Sequence, residues 1–126
     1  MMSWSFKSFA ETGQYVTGHD NVDADGNPAG GWAQDGVHDY QRGLMPQFLI
    51  RWQDGPLDRQ SGAEPNGAFV EDVLEACKRR IAFYQDSRFA CEDNAEAIAK
   101  IEDAIAALTR RREDRRERGV LGRNEE

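Results

Sequence analysis

Ile98, Ile101, Ile105 and Leu108 follow one another at spacings of three, four and three residues. An α-helix turns once in about 3.6 residues, so these four side chains share one narrow face. A stripe of that width is the seam of a helix packed against a single neighbour, and it fixes this part of the chain as helical. The neighbour is close by in sequence. Val70, Val73, Leu74, Cys77, Ile81 and Tyr84 also recur at threes and fours. Asn66 suits the N-cap, and Glu71 and Asp72 the first turns, of a helix over about 68–86. The stretch DSRFACED then leads to a second helix that starts near Glu92 and ends at Gly119. Two helices on so short a connector form an antiparallel hairpin.

The residues before Asn66 read differently. They are rich in Gly, Asp, Asn and Pro, with short apolar segments between turn signals: GQYVTG, DGNPAGG, a segment ending at Pro46, and QFLIRWQDGP. In the last, Phe48, Ile50 and Trp52 alternate with Leu49, Arg51 and Gln53, the period of a half-buried strand. The expected fold class is α+β. A small antiparallel sheet over about 1–65 precedes the helical hairpin over about 66–122, within one domain of 126 residues. No internal repeat is present, and RNEE reads as a loose tail.

The chain carries a net charge of −7, yet the residues from 109 onward hold seven Arg against five Asp or Glu. A mostly acidic surface repels a nucleic-acid polymer, whereas a concentrated arginine patch still suits one small anion. No apolar run approaches the ~18 residues of a membrane span. MMSWSFKSFAETG lacks a basic segment followed by an apolar one, so no secretory signal is expected. Cys77 and Cys91 form no CxxC and have no histidine cluster beside them, and they read as reduced thiols of a cytosolic protein.

NVDADG, Asn21 to Gly26, matches a calcium loop at positions one, three, five and six, but position twelve is Trp32 where a bidentate Glu is required. A turn is the better reading. GGWAQDG lacks the Lys-Ser/Thr that completes a phosphate loop, and there is no GxSxG and no HExxH. His19 and His38 have serines and aspartates nearby, but no pattern nominates a base, a nucleophile and an oxyanion donor together. On these motifs an enzyme stays open, and no cofactor or metal is expected.

Asn94 lies four residues before Ile98, on the same seam. It is either a polar residue that sets helix register or an amide facing a ligand. Beyond Leu108 the seam continues through Arg112 and Arg115, and Arg111, Arg115 and Arg118 share a stripe with it. Cations favour a helix C-terminus, and Glu113 and Glu117 sit at pairing distance in sequence. Neither effect explains arginines on the packing face, where a charge without a partner is costly to desolvate. The planar guanidinium fork suits phosphate, and the placement favours an anion site.

Seventeen residues separate Asn94 from Arg111, roughly 26 Å along a helix. In an antiparallel hairpin Tyr84 lies near Asn94, so neither can share a small ligand with Arg111 of its own chain. A second hairpin packed head-to-tail in an isologous dimer brings its arginine end alongside and builds two identical pockets. Each offers an aromatic face for a base, an amide for polar edges and arginines for phosphates.

NGAFVEDVLEACKRRIAFYQDSRFACEDNAEAIAKIEDAIAALTRRREDRRERGVLG closely resembles the helical-hairpin domain shared by phage anti-CBASS and Thoeris anti-defence sponge proteins. WQDGPL…NGAFVEDVL, after a Gly-rich sheet region, resembles the Thoeris anti-defence 1 family in particular. The motifs FACxxNAxAI and RxxxRxxRGVxG carry the likeness together. The resemblance implies sequestration without cleavage of a TIR-derived cyclic ADP-ribose isomer (glyco-cyclic ADP-ribose) in the cytoplasm of an infected bacterial host. It places the family's aromatic, asparagine and two arginine ligand residues on Tyr84, Asn94, Arg111 and Arg115. It implies a homodimer able to assemble as a hexamer, a trimer of dimers. It also implies a second site for cyclic di- or trinucleotides, for which Arg118 and the turn from Gly119 to Gly122 are the candidates. The family usually has Glu where RGVLG has Leu121. Two other readings are an oligomerising hairpin that docks an acidic protein and a hydrolase of the cyclic signal.

Overall fold

In the computed structural model, residues 2–10, 14–35, 47–54 and 64–117 are described. The chain divides into two compact units, residues 1–68 and 69–126. The first is a sheet of four strands: β1 (Met2–Lys7), β2 (Tyr15–Val22), β3 (Pro28–Asp35) and β4 (Leu49–Trp52). They lie in chain order, each antiparallel to the next. The second holds α1 (Val70–Gln85) and α2 (Glu92–Glu117). The α+β class read from the sequence is the one observed.

Register sorts the two faces of the sheet. Trp4, Gly18, Ala33 and Ile50 stand in one cross-strand row, and Ser3, His19, Trp32 and Arg51 in the next, on the opposite face. The face of the first row carries the small core, in which Val16, two residues from Gly18, and Ala33 are the buried hydrophobic residues among those described. Gly18 is required there because the Trp4 indole occupies the space a Cβ would take. Trp4 also stacks on Phe6 at 5.9 Å and donates from Nε1 to Asp20 at 3.0 Å.

NVDADG joins β2 to β3 as a turn. Asp23 Oδ1 accepts the backbone N–H groups of Asp25 and Asn27, both at 2.9 Å, and Gly26 takes φ of 83°. The oxygen that a calcium loop would aim at the ion thus orders the backbone.

Asn66 has a different role from the expected helix cap. Its side chain accepts from the Asp54 N–H at 2.8 Å and donates to the Asp54 carbonyl at 3.1 Å, while its own N–H donates to Gln53 Oε1 at 2.9 Å. This clasp seats Ala68 against Trp52 as a parallel bridge. The α1 N-cap is Phe69, which makes no side-chain cap bond, so α1 starts two residues later than the expected 68.

In the hairpin, Asn94, Ile98, Ile101, Ile105, Leu108, Arg112 and Arg115 of α2 are all half-buried, the whole 4-3-4-3-4-3 seam. On α1 the facing set is Glu71, Leu74, Lys78, Ile81 and Gln85. Val70, Cys77 and Tyr84, which the sequence groups with Leu74 and Ile81, are instead exposed. No residue of α1 is buried. Lys78 and Arg79 lie 3.1 and 3.2 Å from Glu75 and, led by the Lys78 hydrogen bond, hold its carboxyl below the ordinary value.

Candidate functional site

The connector between the helices is built by side chains. Gln85 Oε1 accepts the Cys91 N–H at 2.9 Å and its Nε2 donates to the Cys91 carbonyl at 3.1 Å, clamping the end of α1 to the start of α2. Ser87 Oγ donates to the Tyr84 carbonyl at 2.6 Å and accepts the Phe89 N–H at 3.1 Å. Asn94 Nδ2 donates to the Phe89 carbonyl at 3.2 Å. The amide therefore has a structural task, and its Oδ1 remains as an acceptor. The bond holds the connector and does not cross to α1, so it is not the register-setting contact of a helix interface.

This end of the hairpin displays aromatic rings. Tyr84 is 39 % exposed, Phe83 61 % and Phe89 64 %, too open for core residues. Arginines lie over them. The Arg80 guanidinium carbon is 5.2 Å from the centroids of both Phe83 and Tyr84, and that of Arg88 is 4.8 Å from Phe89. Arg80 Nε also donates to the Tyr84 hydroxyl at 3.2 Å. The sequence reading missed Arg80. Its signal was the spacing of four from Tyr84, which puts the two side chains one above the other.

Arg111, Arg112 and Arg115 at the opposite end have different surroundings. Arg112 pairs with Glu71 across the hairpin and lies over Phe69 at 5.5 Å, so its charge on the packing face is compensated within the chain. Arg115 is half-buried on the seam, and Arg111 is exposed. Arg118 and the turn from Gly119 to Gly122 lie outside the described residues, as do Gly119 as a helix end, His38 and the segment ending at Pro46.

The structure brings Tyr84 and Asn94 to one end of the hairpin and Arg111 and Arg115 to the other. α2 is continuous between them, 26 residues from Glu92 to Glu117. The separation of roughly 26 Å follows from helix rise alone. No mononucleotide-sized ligand touches both sets within one chain.

In the sheet unit, Ser3 Oγ lies 2.7 Å from His19 Nδ1, the contact of a nucleophile with its base. The rest of a triad is not formed around it. The imidazole stacks on Trp32 at 6.4 Å, and neighbouring Asp20 points to the other face, where it binds Trp4. A shallow groove of about 500 Å³ runs past Trp32, Arg51, Trp52, Asp54 and Asn66. Among the described residues no group of three or more His, Cys, Asp or Glu is placed to hold a metal ion, and no helix is long and apolar enough to cross a membrane.

Residues 46–113 match the family model described as the Acb2/Tad1 hairpin domain, more than half of the chain. The match takes in Tyr84, Asn94 and Arg111 and stops short of Arg115. A curated relative, Thoeris anti-defense 1 of Bacillus phage SBSphiJ7, is 38 % identical over 76 residues, 60 % of this chain. The matched stretch spans 51 % of that relative, about half its length.

Proposed function

The chain belongs to the Acb2/Tad1 hairpin-domain family, and from that premise we propose that it is a phage anti-Thoeris sponge, which binds a cyclic ADP-ribose isomer and withholds it from its effector without cleaving it. The relative named Thoeris anti-defense 1 supports the biological setting, inside an infected bacterial cell. The observation that carries the binding mode is the division of aromatic and amide groups from arginines along one unbroken helix. A pocket with all four groups requires two chains.

In the proposed dimer, Tyr84 of one chain stacks on the adenine and Asn94 Oδ1 accepts from its polar edge. Arg111 and Arg115 of the second chain grip the pyrophosphate, and the two-fold axis repeats the arrangement. Val70, Cys77 and Tyr84 form a stripe along α1 that the single chain leaves open, with the half-buried Val73 at its edge, and a second hairpin covers it. Arg118 and the turn from Gly119 to Gly122 are the candidate residues of a second site for cyclic di- or trinucleotides, and the dimers assemble further as a hexamer.

A sponge works by mass action. Nanomolar affinity corresponds to about −12 kcal/mol, within reach of a preorganised pocket that stacks a base and surrounds a pyrophosphate. Glyco-cyclic ADP-ribose at a hundred times its Kd then stabilises the protein by about 2.7 kcal/mol, read as a rise in melting temperature. Heating the loaded protein should return the ligand unaltered. Return of a ring-opened product would make the protein a hydrolase, and no thermal shift at any ligand concentration would favour the oligomerising module that docks an acidic protein.

A further inference from the structure

Three cations follow one another on α1, and the third is treated differently from the first two. Lys78 lies 3.1 Å from Glu75 and 4.0 Å from Glu102, and Arg79 lies 3.2 Å from Glu75. Among the described residues no carboxylate pairs with Arg80. It bonds the Tyr84 hydroxyl at 3.2 Å through Nε and rests between the Tyr84 and Phe83 rings. Aromatic faces attract a guanidinium but leave its charge whole. The bond to Tyr84 uses Nε, and the terminal N–H groups are left for another acceptor.

Position sharpens the contrast. Exposed Val70, Cys77 and Tyr84 recur seven residues apart, and exposed Arg80 stands three after Cys77 and four before Tyr84, so it interrupts the open stripe one turn before Tyr84. Covering that stripe with another chain strips water from a cation that has no anion, which is costly unless an anion arrives with the covering. A phosphate beside the Tyr84 ring supplies it. Fork geometry then gives two parallel N–H···O bonds to one phosphate.

We propose that Arg80 is an anion-binding residue of the same pocket, holding the ligand's phosphate from the Tyr84 side, across from the arginines that the second chain supplies. The inference rests on the two-chain reading above. It makes each pocket cationic on both walls and couples phosphate capture to the orientation of the ring that stacks the base.

The test is titration calorimetry with glyco-cyclic ADP-ribose on wild type, Arg80→Gln, Arg80→Lys and Arg79→Ala at two salt concentrations. Arg80→Gln should bind about ten- to a hundredfold more weakly, Arg80→Lys should recover part of the loss, and Arg79→Ala should match wild type. A lost phosphate contact also flattens the fall of affinity with salt, since one screened charge pair has gone. Weaker binding with an unchanged salt dependence would overturn the inference, leaving Arg80 a positioning residue for Tyr84. Full affinity in Arg80→Gln, with Arg111→Ala still deficient, would also overturn it and leave the two-chain reading standing. A wild-type protein that does not bind the ligand at all would remove that reading, and this inference with it.

Discussion

Arg115→Ala is expected to weaken binding of glyco-cyclic ADP-ribose by at least about a hundredfold, and Arg111→Ala to do the same. The reason is placement. Arginine stabilises a helix end from any face, but Arg115 sits half-buried on the seam and Arg111 stands exposed beside it. In the proposed dimer each lies at the rim of the surface that the second chain would cover, where a pyrophosphate oxygen would be its acceptor. Arg112 between them is the internal contrast. It pairs with Glu71, whose side chain is 19 % exposed, and lies over Phe69. Removing Arg112 strands a largely covered carboxylate, so stability falls rather than ligand contact. Calorimetry and thermal melts separate the two cases. Full affinity in both Arg111→Ala and Arg115→Ala would reject their assignment to the ligand.

Cys77→Glu is expected to convert the proposed dimer to monomers and abolish binding while the far-ultraviolet helix signal persists. Cys77 is exposed, lies at the middle of α1 and belongs to the stripe with Val70 and Tyr84. Burying the new carboxylate against an apolar partner face costs several kcal/mol, while at an open helix surface Glu is well tolerated. The intramolecular seam, through Leu74 and Ile81, is on another face and should not feel the change. Equilibrium sedimentation reads the outcome. A Cys77→Glu protein that remains dimeric with unaltered affinity would show that this stripe is not the surface between chains.

The hairpin was largely legible because its signal is periodic. α2 half-buries the positions that its spacing marks, down to Arg112 and Arg115, and it starts at the expected Glu92. α1 was read less well. Spacings of three and four mark apolar side chains without saying what covers them, so Leu74 and Ile81, which pack on α2, were pooled with Val70, Cys77 and Tyr84, which do not. Asn66 departs from the expected cap because a preferred N-cap residue type is equally a preferred turn residue, and the turn bonds to Gln53 and Asp54 prevail. β1 is not among the segments that turn signals mark, although Trp4 and Phe6 alternate with Ser3 and Ser5. At the connector, Tyr84 and Asn94 fell together as the hairpin geometry required, but the Arg80 contact depends on side-chain rotamers, which periodicity does not carry.

The most direct test of the central claim mixes two disabled proteins. Tyr84→Ala chains keep sound arginines, and Arg115→Ala chains keep a sound aromatic end. Neither should bind glyco-cyclic ADP-ribose tightly alone. Unfolded together and refolded, they form mixed dimers in which one pocket joins the intact Tyr84 of one chain to the intact arginines of the other, while the second pocket carries both lesions. Calorimetry of the mixture should recover wild-type affinity at about one site per four chains, the share that random pairing into two-fold dimers allows. A mixture that stays as inactive as its components, although the chains have demonstrably exchanged, would place the whole site within one chain and contradict the account.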